Sequence, residues 1–306
     1  MDIFRGVAFK VTAILLFTVM ASLIKASSAH VPAGQAVFFR SLFAMPVILI
    51  WLAMRHELTI GLRTSNPMGH VWRGLIGVTA MGCGFAALGL LPLPEVTALG
   101  FAAPLITVIL AALLLGERLR LFRLSAVGLG LIGVTVVLWP RLSFGANDID
   151  QLAALGVALV LISAALRALA QVHVRRLVQT EQTAAVVFYF SMTATIMSMF
   201  SIPFGWVIPR PSEAAMLIGA GVIGGVAQIF LTTSYRFAGA AVLAPFDYVS
   251  ILFAIVIGYF VFAEVPTSAT LVGSAIVIAA GVLIIWRERQ LGLKRGAARP
   301  GVTPQG

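Results

Sequence analysis

Among the charged residues that fall within long apolar stretches of this sequence, Arg40 and Asp247 stand out. A charge at the centre of a membrane helix costs roughly 2.5–3.5 kcal/mol on insertion scales, so each needs a chemical reason. Arg40 offers five N–H donors in a fixed fork, a geometry suited to an anion or to the polar edge of a ring system. Its plainer reading is a side chain that snorkels outward or bonds helix-end carbonyls. Asp247 follows Pro245 and Phe246, with no basic residue beside it in sequence. A carboxyl in apolar surroundings suits proton coupling or a hydrogen bond to a substrate; the plainer reading is an ion pair with Arg167 or Arg236. Gln228, Tyr189, Tyr248 and Phe39 share these apolar stretches, as do Ser191 and Tyr235. A flat, conjugated substrate could stack on Tyr189, Tyr248 and Phe39 while Arg40 and Gln228 address its polar edge. Ordinary helix packing is the competing account of each.

Other chemistries lack their residues. The histidines, His30, His56, His70 and His173, all fall in loops or at helix ends, and no H-E-x-x-H occurs. Asp247 has no second acid in its own stretch, so the pairs and triads that an embedded enzyme needs are missing. No ring of one residue type marks a channel pore. Gly128, Gly130 and Gly133 spell G-x-G-x-x-G, but inside an apolar run where no strand precedes a helix N-terminus, so helix packing explains them. The lysines, Lys10, Lys25 and Lys294, are outside any G-K-[ST] context, which argues against an ATP-driven chain. Cys83 is the single cysteine and reads as a small packing residue. No cofactor, metal or nucleic acid is called for.

The elements that must position these residues follow from composition. Of 306 residues, 60% are hydrophobic and 10% charged, and the mean hydropathy is +1.04. Soluble domains are typically about 45–50% apolar and about 25% charged. A crossing needs roughly 20 apolar residues, so the chain is long enough for about ten helices and no separate soluble domain. Windows poor in charge run at 6–25, 34–54, 71–91, 94–115, 123–140, 151–170, 184–208, 214–235, 240–262 and 269–286. Pro32, Pro67, Pro92, Pro94, Pro140, Pro209, Pro211 and Pro266 punctuate the joints. Pro46, Pro104, Pro203 and Pro245 fall inside windows, where they permit bends. The first window has a basic start like a signal peptide, but it is long enough to span and Lys25 interrupts its cleavage region. With the N-terminus inside, Arg5, Lys10, Arg55, Arg63, Arg73, Arg118, Arg120, Arg123, Arg175, Arg176 and Arg236 fall on inner segments, as does the basic tail. The outer loops keep only Arg141 and Arg210, so both termini are expected in the cytoplasm.

The chain also repeats. Glu117 and Glu264, Trp139 and Trp286, and Gly74 and Gly221 pair at one fixed offset of 147 positions. Identity between the halves is close to chance for so biased a composition, so the order of landmarks carries the repeat. Five helices per half, an odd number, force the second half to enter from the opposite side, the inverted topology of secondary transporters. The division is 1–142, 143–290 and a loose basic tail at 291–306. Glu117 and Glu264 end equivalent helices and are expected to bond the backbone of a neighbour. Glu95, in a first helical turn, favours the helix dipole, and Lys25 is expected to snorkel.

Phe38-Phe39-Arg40-Ser41, Pro92-Leu93-Pro94, Phe101-Ala102-Ala103-Pro104-Leu105, Leu115-Gly116-Glu117, Ala244-Pro245-Phe246-Asp247-Tyr248 and Phe262-Ala263-Glu264 occur in this order. In these the chain resembles the EamA-type, ten-helix members of the drug/metabolite transporter superfamily, over essentially its whole length. That resemblance implies an all-α polytopic protein of the bacterial inner membrane that moves a small metabolite by alternating access. Members carry amino acids, nucleotide-like metabolites or vitamins, some inward and some outward. The likeness is to members for riboflavin or S-adenosylmethionine uptake, with riboflavin the first expectation and efflux of amino acids or other metabolites the alternative. The expected partners are a small-molecule substrate and the lipid bilayer, with a homodimer and proton coupling left open.

Overall fold

The computed structural model describes residues 3–115, 121–142, 148–177, 180–238 and 243–297. Among these, all regular structure is helical. Five helices are long and apolar enough to cross a membrane: α1 (Ile3–Ser27), α2 (Ala33–Met54), α4 (Pro67–Leu90), α8 (Asp148–Leu177) and α10 (Pro211–Phe237). A short helix, α3 (Leu58–Gly61), lies between the second and third. Shorter apolar helices complete the set of ten crossings. The fourth crossing is split into α5 (Leu93–Gly100) and α6 (Ala102–Leu115), and the fifth is α7 (Leu121–Leu142). The seventh is α9 (Thr183–Met199). The ninth opens with a 3₁₀ turn, Ala244–Tyr248, and continues as α11 (Val249–Phe262); the tenth is α12 (Ser268–Ala297). An even number of crossings returns residue 297 to the face where residue 3 begins. That face is called the termini face below.

The prolines act locally as their chemistry requires. Pro104 has no N–H to offer the carbonyl of Gly100, and the fourth crossing breaks at Phe101 between them. Pro46 is accommodated within α2. Pro203 bends nothing: α9 stops at Met199, Pro203 lies in the following 3₁₀ turn, and the apolar window at 184–208 extends past the helix end. At the other extreme α12 runs to Ala297, well into the stretch read as a loose tail.

The packing has the symmetry of an inverted repeat. The first crossing packs on the eighth and the sixth on the third; the second packs on the eighth and the seventh on the third. Three of the pairs that a two-fold would map on themselves, second with seventh, fourth with ninth and fifth with tenth, are also in contact. Phe101 and Tyr248, which share the offset of the sequence repeat, meet with tilted rings at 4.7 Å between centroids. Small residues let the helices approach. A Cβ on Gly133 would meet the Gly273 carbonyl oxygen at 2.8 Å, which accounts for the third glycine of the G-x-G-x-x-G run; Gly130 lies equally tightly under Leu105. Gly221 and Gly225 abut the backbone of α2 in the same way. The core is correspondingly alanine-rich, for example Ala98, Ala102, Ala103, Ala153 and Ala164 around Val160 and Val277. Leu131, Ile132, Leu252, Phe260 and Leu271 are exposed on the periphery, the face a bilayer covers, and Trp139 and Trp286 are exposed at the ends of equivalent crossings.

Candidate functional site

Two adjoining cavities of about 410 Å³ and about 170 Å³ lie between the two halves and share Arg40, Arg73, Val174 and Phe190 as lining. Their summed space falls in the range of small-molecule sites. The larger is walled by α1, α2, α4, α8 and α9, with Met20, Ser163, Arg167 and Gln171 among its residues. The smaller is walled by α2, α4, α8, α9 and α10 and includes Ser191 and Gln228.

Three guanidiniums face this space. Arg40 is 8% exposed, and its Nε is buried without a hydrogen-bond partner. Close passage of α10 makes room for it: a Cβ on Gly224 would lie 3.5 Å from that Nε. Arg73 lies over the Phe190 ring, 4.1 Å from guanidinium carbon to centroid, and its Nε and one Nη are buried without partners. Arg73 is also within reach of the positive field of Arg40. Arg167 makes one long bond, 3.4 Å, to the Ser163 carbonyl one turn back. Among the described residues, no carboxylate lines either cavity.

The residues singled out from sequence are dispersed. Arg40 and Gln228 come together on the cavity wall, with Ser191 beside them. Asp247 does not join them: it forms an ion pair at 2.7 Å with Lys10, whose side chain is buried while that of Asp247 is half-exposed. The ground for proton coupling through Asp247 was the lack of an adjacent base, and α1 supplies that base from the far end of the chain. Tyr189 donates to the Leu62 carbonyl at 2.9 Å and packs against His70, near the termini face rather than in the cavity. Tyr248 is buried against Phe101 and Gly281, and Phe39 stacks on Phe43 within the core. The side chains of Tyr235 and Arg236, and Glu117 altogether, lie outside the described residues. Arg73 and Arg167 were missed as cavity residues. Pro67 at the first helical position puts Arg73 nearly two turns inside α4, and Arg167 falls mid-window at 151–170, so both signals were present in the sequence.

At both ends of the cavity the halves are tied together. On the face opposite the termini, Lys25 does not snorkel: it pairs with Glu264 at 2.9 Å and donates to the carbonyls of Leu88 and Leu91 at 3.0 and 2.7 Å. The second oxygen of Glu264 accepts from the Leu93 N–H at 2.8 Å, the backbone bond expected of it. Beside this tie, His30 meets Glu213 at 2.9 Å, and the Gln35 side chain exchanges two hydrogen bonds with the Val207 backbone. Glu95 is buried in the first turn of α5, as its dipole position requires.

On the termini face the carboxylate of Glu181 accepts from the Ser65 N–H and hydroxyl, both 2.8 Å, and from the Asn66 N–H at 2.9 Å. Its other oxygen lies 3.2 Å from His70 Nε2. Burial opposes the charged form, but the donors from Ser65, His70 and Thr64 outweigh it and hold the Glu181 carboxyl down at about 2.

A helical bundle of inverted halves around a central cavity lined by three arginines is the architecture of a membrane transporter. The EamA-like transporter family model matches residues 4–139 and 154–286, and the chain belongs to that family. A pseudopaline exporter of Pseudomonas aeruginosa is 31% identical over 283 residues, covering 91% of this chain and 95% of that protein. An S-adenosylmethionine uptake transporter of Rickettsia conorii is 28% identical over 256 residues, covering 84% of each. A solved crystal structure superposes with a TM-score of 0.66 at 23% identity, over 94% of this chain and 98% of that one, which shows a common fold.

Proposed function

We propose that this membrane transporter is a secondary transporter of the bacterial cytoplasmic membrane that moves a small metabolite by alternating access, with both termini in the cytoplasm. The observation that carries the reading is the central cavity, set between inverted halves and bracketed by a tie between those halves at each face. Opening one tie while the other holds would expose the cavity to one side at a time. The distribution of arginine and lysine supports the orientation. A green fluorescent protein fused at the C-terminus should fluoresce in bacterial cells if that end is cytoplasmic; a dark but intact fusion would reverse it.

Relatives that export one metabolite and import another leave direction to experiment. Riboflavin, S-adenosylmethionine and amino acids are the compounds to compare. Purified protein in proteoliposomes preloaded with unlabelled compound should accumulate its labelled form by exchange. Absence of exchange for every compound, citrate and inorganic phosphate included, with folded protein confirmed in the vesicles, would sink the transport reading. Exchange of some other compound but not riboflavin would remove the flavin alone.

A further inference from the structure

We infer that the cavity binds an anion: the cargo is a small metabolite carrying a carboxylate or phosphate and a net negative charge. This rests on the transport reading only for the word cargo; the binding site stands on geometry. Arg40 is more than nine-tenths buried and its Nε has no partner, and Arg73 has two such nitrogens. A buried guanidinium without an acceptor is expensive, and proteins keep such a group where a ligand completes it. A third guanidinium, Arg167, faces the same space.

Among the described residues, five acids are paired elsewhere and Glu95 lines neither cavity. Asp247 pairs with Lys10, Glu264 with Lys25, Glu213 with His30, Glu57 with Arg55 and Glu181 with His70. Positive charge is therefore concentrated in a space with low-dielectric walls, where it attracts anions and repels cations. The arginine fork matches the planar carboxylate and the phosphate oxygens in two-bond geometry. Gln228, Ser191 and Gln171 add neutral polar groups for the rest of the molecule, and the Phe190 face is already covered by Arg73. A molecule with a fixed sulfonium charge, such as S-adenosylmethionine, gains little here, and uncharged riboflavin leaves the guanidiniums without counter-charge.

The test uses the purified full chain in detergent, with citrate, glutamate and inorganic phosphate as probes against putrescine and riboflavin at matched ionic strength. At about 10 mM an anion that fits should raise Tm by about 3–6 °C, while putrescine and riboflavin should not. Arg40→Gln and Arg167→Gln should each abolish that rise, and Arg40→Gln should itself fold at least as stably, because it removes a buried unpaired charge. No rise with any of the three acids, or the same rise in Arg40→Gln, overturns the anion site. Proteoliposome uptake of the same five compounds is read in parallel. Uptake of putrescine or riboflavin without an anion effect would keep transport and remove the anion site. An Arg40-dependent anion shift without uptake of any compound would keep the site and remove transport.

Discussion

The two ends of the bundle are closed by related devices at different depths. Opposite the termini, closure is spread over three contacts: Lys25 with Glu264, His30 with Glu213, and Gln35 with the Val207 backbone. At the termini face one carboxylate, Glu181, gathers four donors from the loop and helix start at Ser65, Asn66 and His70. The inverted repeat relates the His30–Glu213 contact to the Glu181 cluster, since each joins the loop after the first helix of one half to the start of the third crossing of the other. The difference is burial. His30 keeps 39% of its side chain exposed, whereas His70 and Glu181 keep 3% and 1%. A buried multi-donor carboxylate resists salt and acid; an exposed pair is screened and contributes little. The far face therefore depends on Lys25 and Glu264, which are inserted between helix ends. Each face thus has one strong element, and the strengths are separable by mutation.

The largest effect is expected from Lys25→Met, which leaves Glu264 without its partner among packed helices and strands the carbonyls of Leu88 and Leu91. A fall in Tm of about 8 °C should be seen in detergent. The double variant Lys25→Met with Glu264→Gln should recover part of it, and a cycle showing no coupling would remove the pair from the comparison. Glu181→Ala should lower Tm by about 5 °C, because two backbone N–H groups and a hydroxyl lose their acceptor. A smaller loss than that of His30→Ala would invert the ranking of the faces.

Acid sharpens the same contrast. The Glu181 carboxyl is held at about 2, below its ordinary value of 4.5. Its stabilisation is complete above that ordinary value and is lost as pH falls from about 4.5 through about 2. Thermal melts of the native chain should therefore decline across this window more steeply than those of Glu181→Gln. Parallel slopes would show that the carboxylate is not held as the geometry requires.

The smallest effects lie at the exposed tie and at a strained cap. His30→Ala should change Tm by no more than about 2 °C. Ala263 ends α11 with φ 53°, in the left-handed region, while the Glu264 N–H bonds the Gly258 carbonyl at 2.9 Å. Ala263→Gly relieves that strain and should raise Tm by about 2 °C with Glu264 still in place. A fall instead would mean that the stiffer alanine is what keeps Glu264 on Lys25.

Much of this molecule was legible without coordinates. Apolar windows long enough to span, prolines at the joints, arginine bias between loops and the paired landmarks at Glu264 and Trp286 together determine an all-helical, ten-crossing bundle of inverted halves. They do so because burying backbone polar groups in hydrocarbon leaves few alternatives. The sequence also marked Arg40 and Gln228. What only tertiary structure decided is which charges meet. Lys10 and Asp247 lie 237 residues apart in the chain, and His30 and Glu213 are 183 residues apart. Their pairing depends on the rotation of each helix about its axis and on the choice of neighbours, and hydropathy carries neither. The same freedom turned Tyr248 onto Phe101, Tyr189 toward Leu62 and Arg73 into the cavity. In a chain where lipid and core are equally apolar, the inward face of a helix is selected by close packing of small residues and by a few polar partners, and those are properties of the assembled fold.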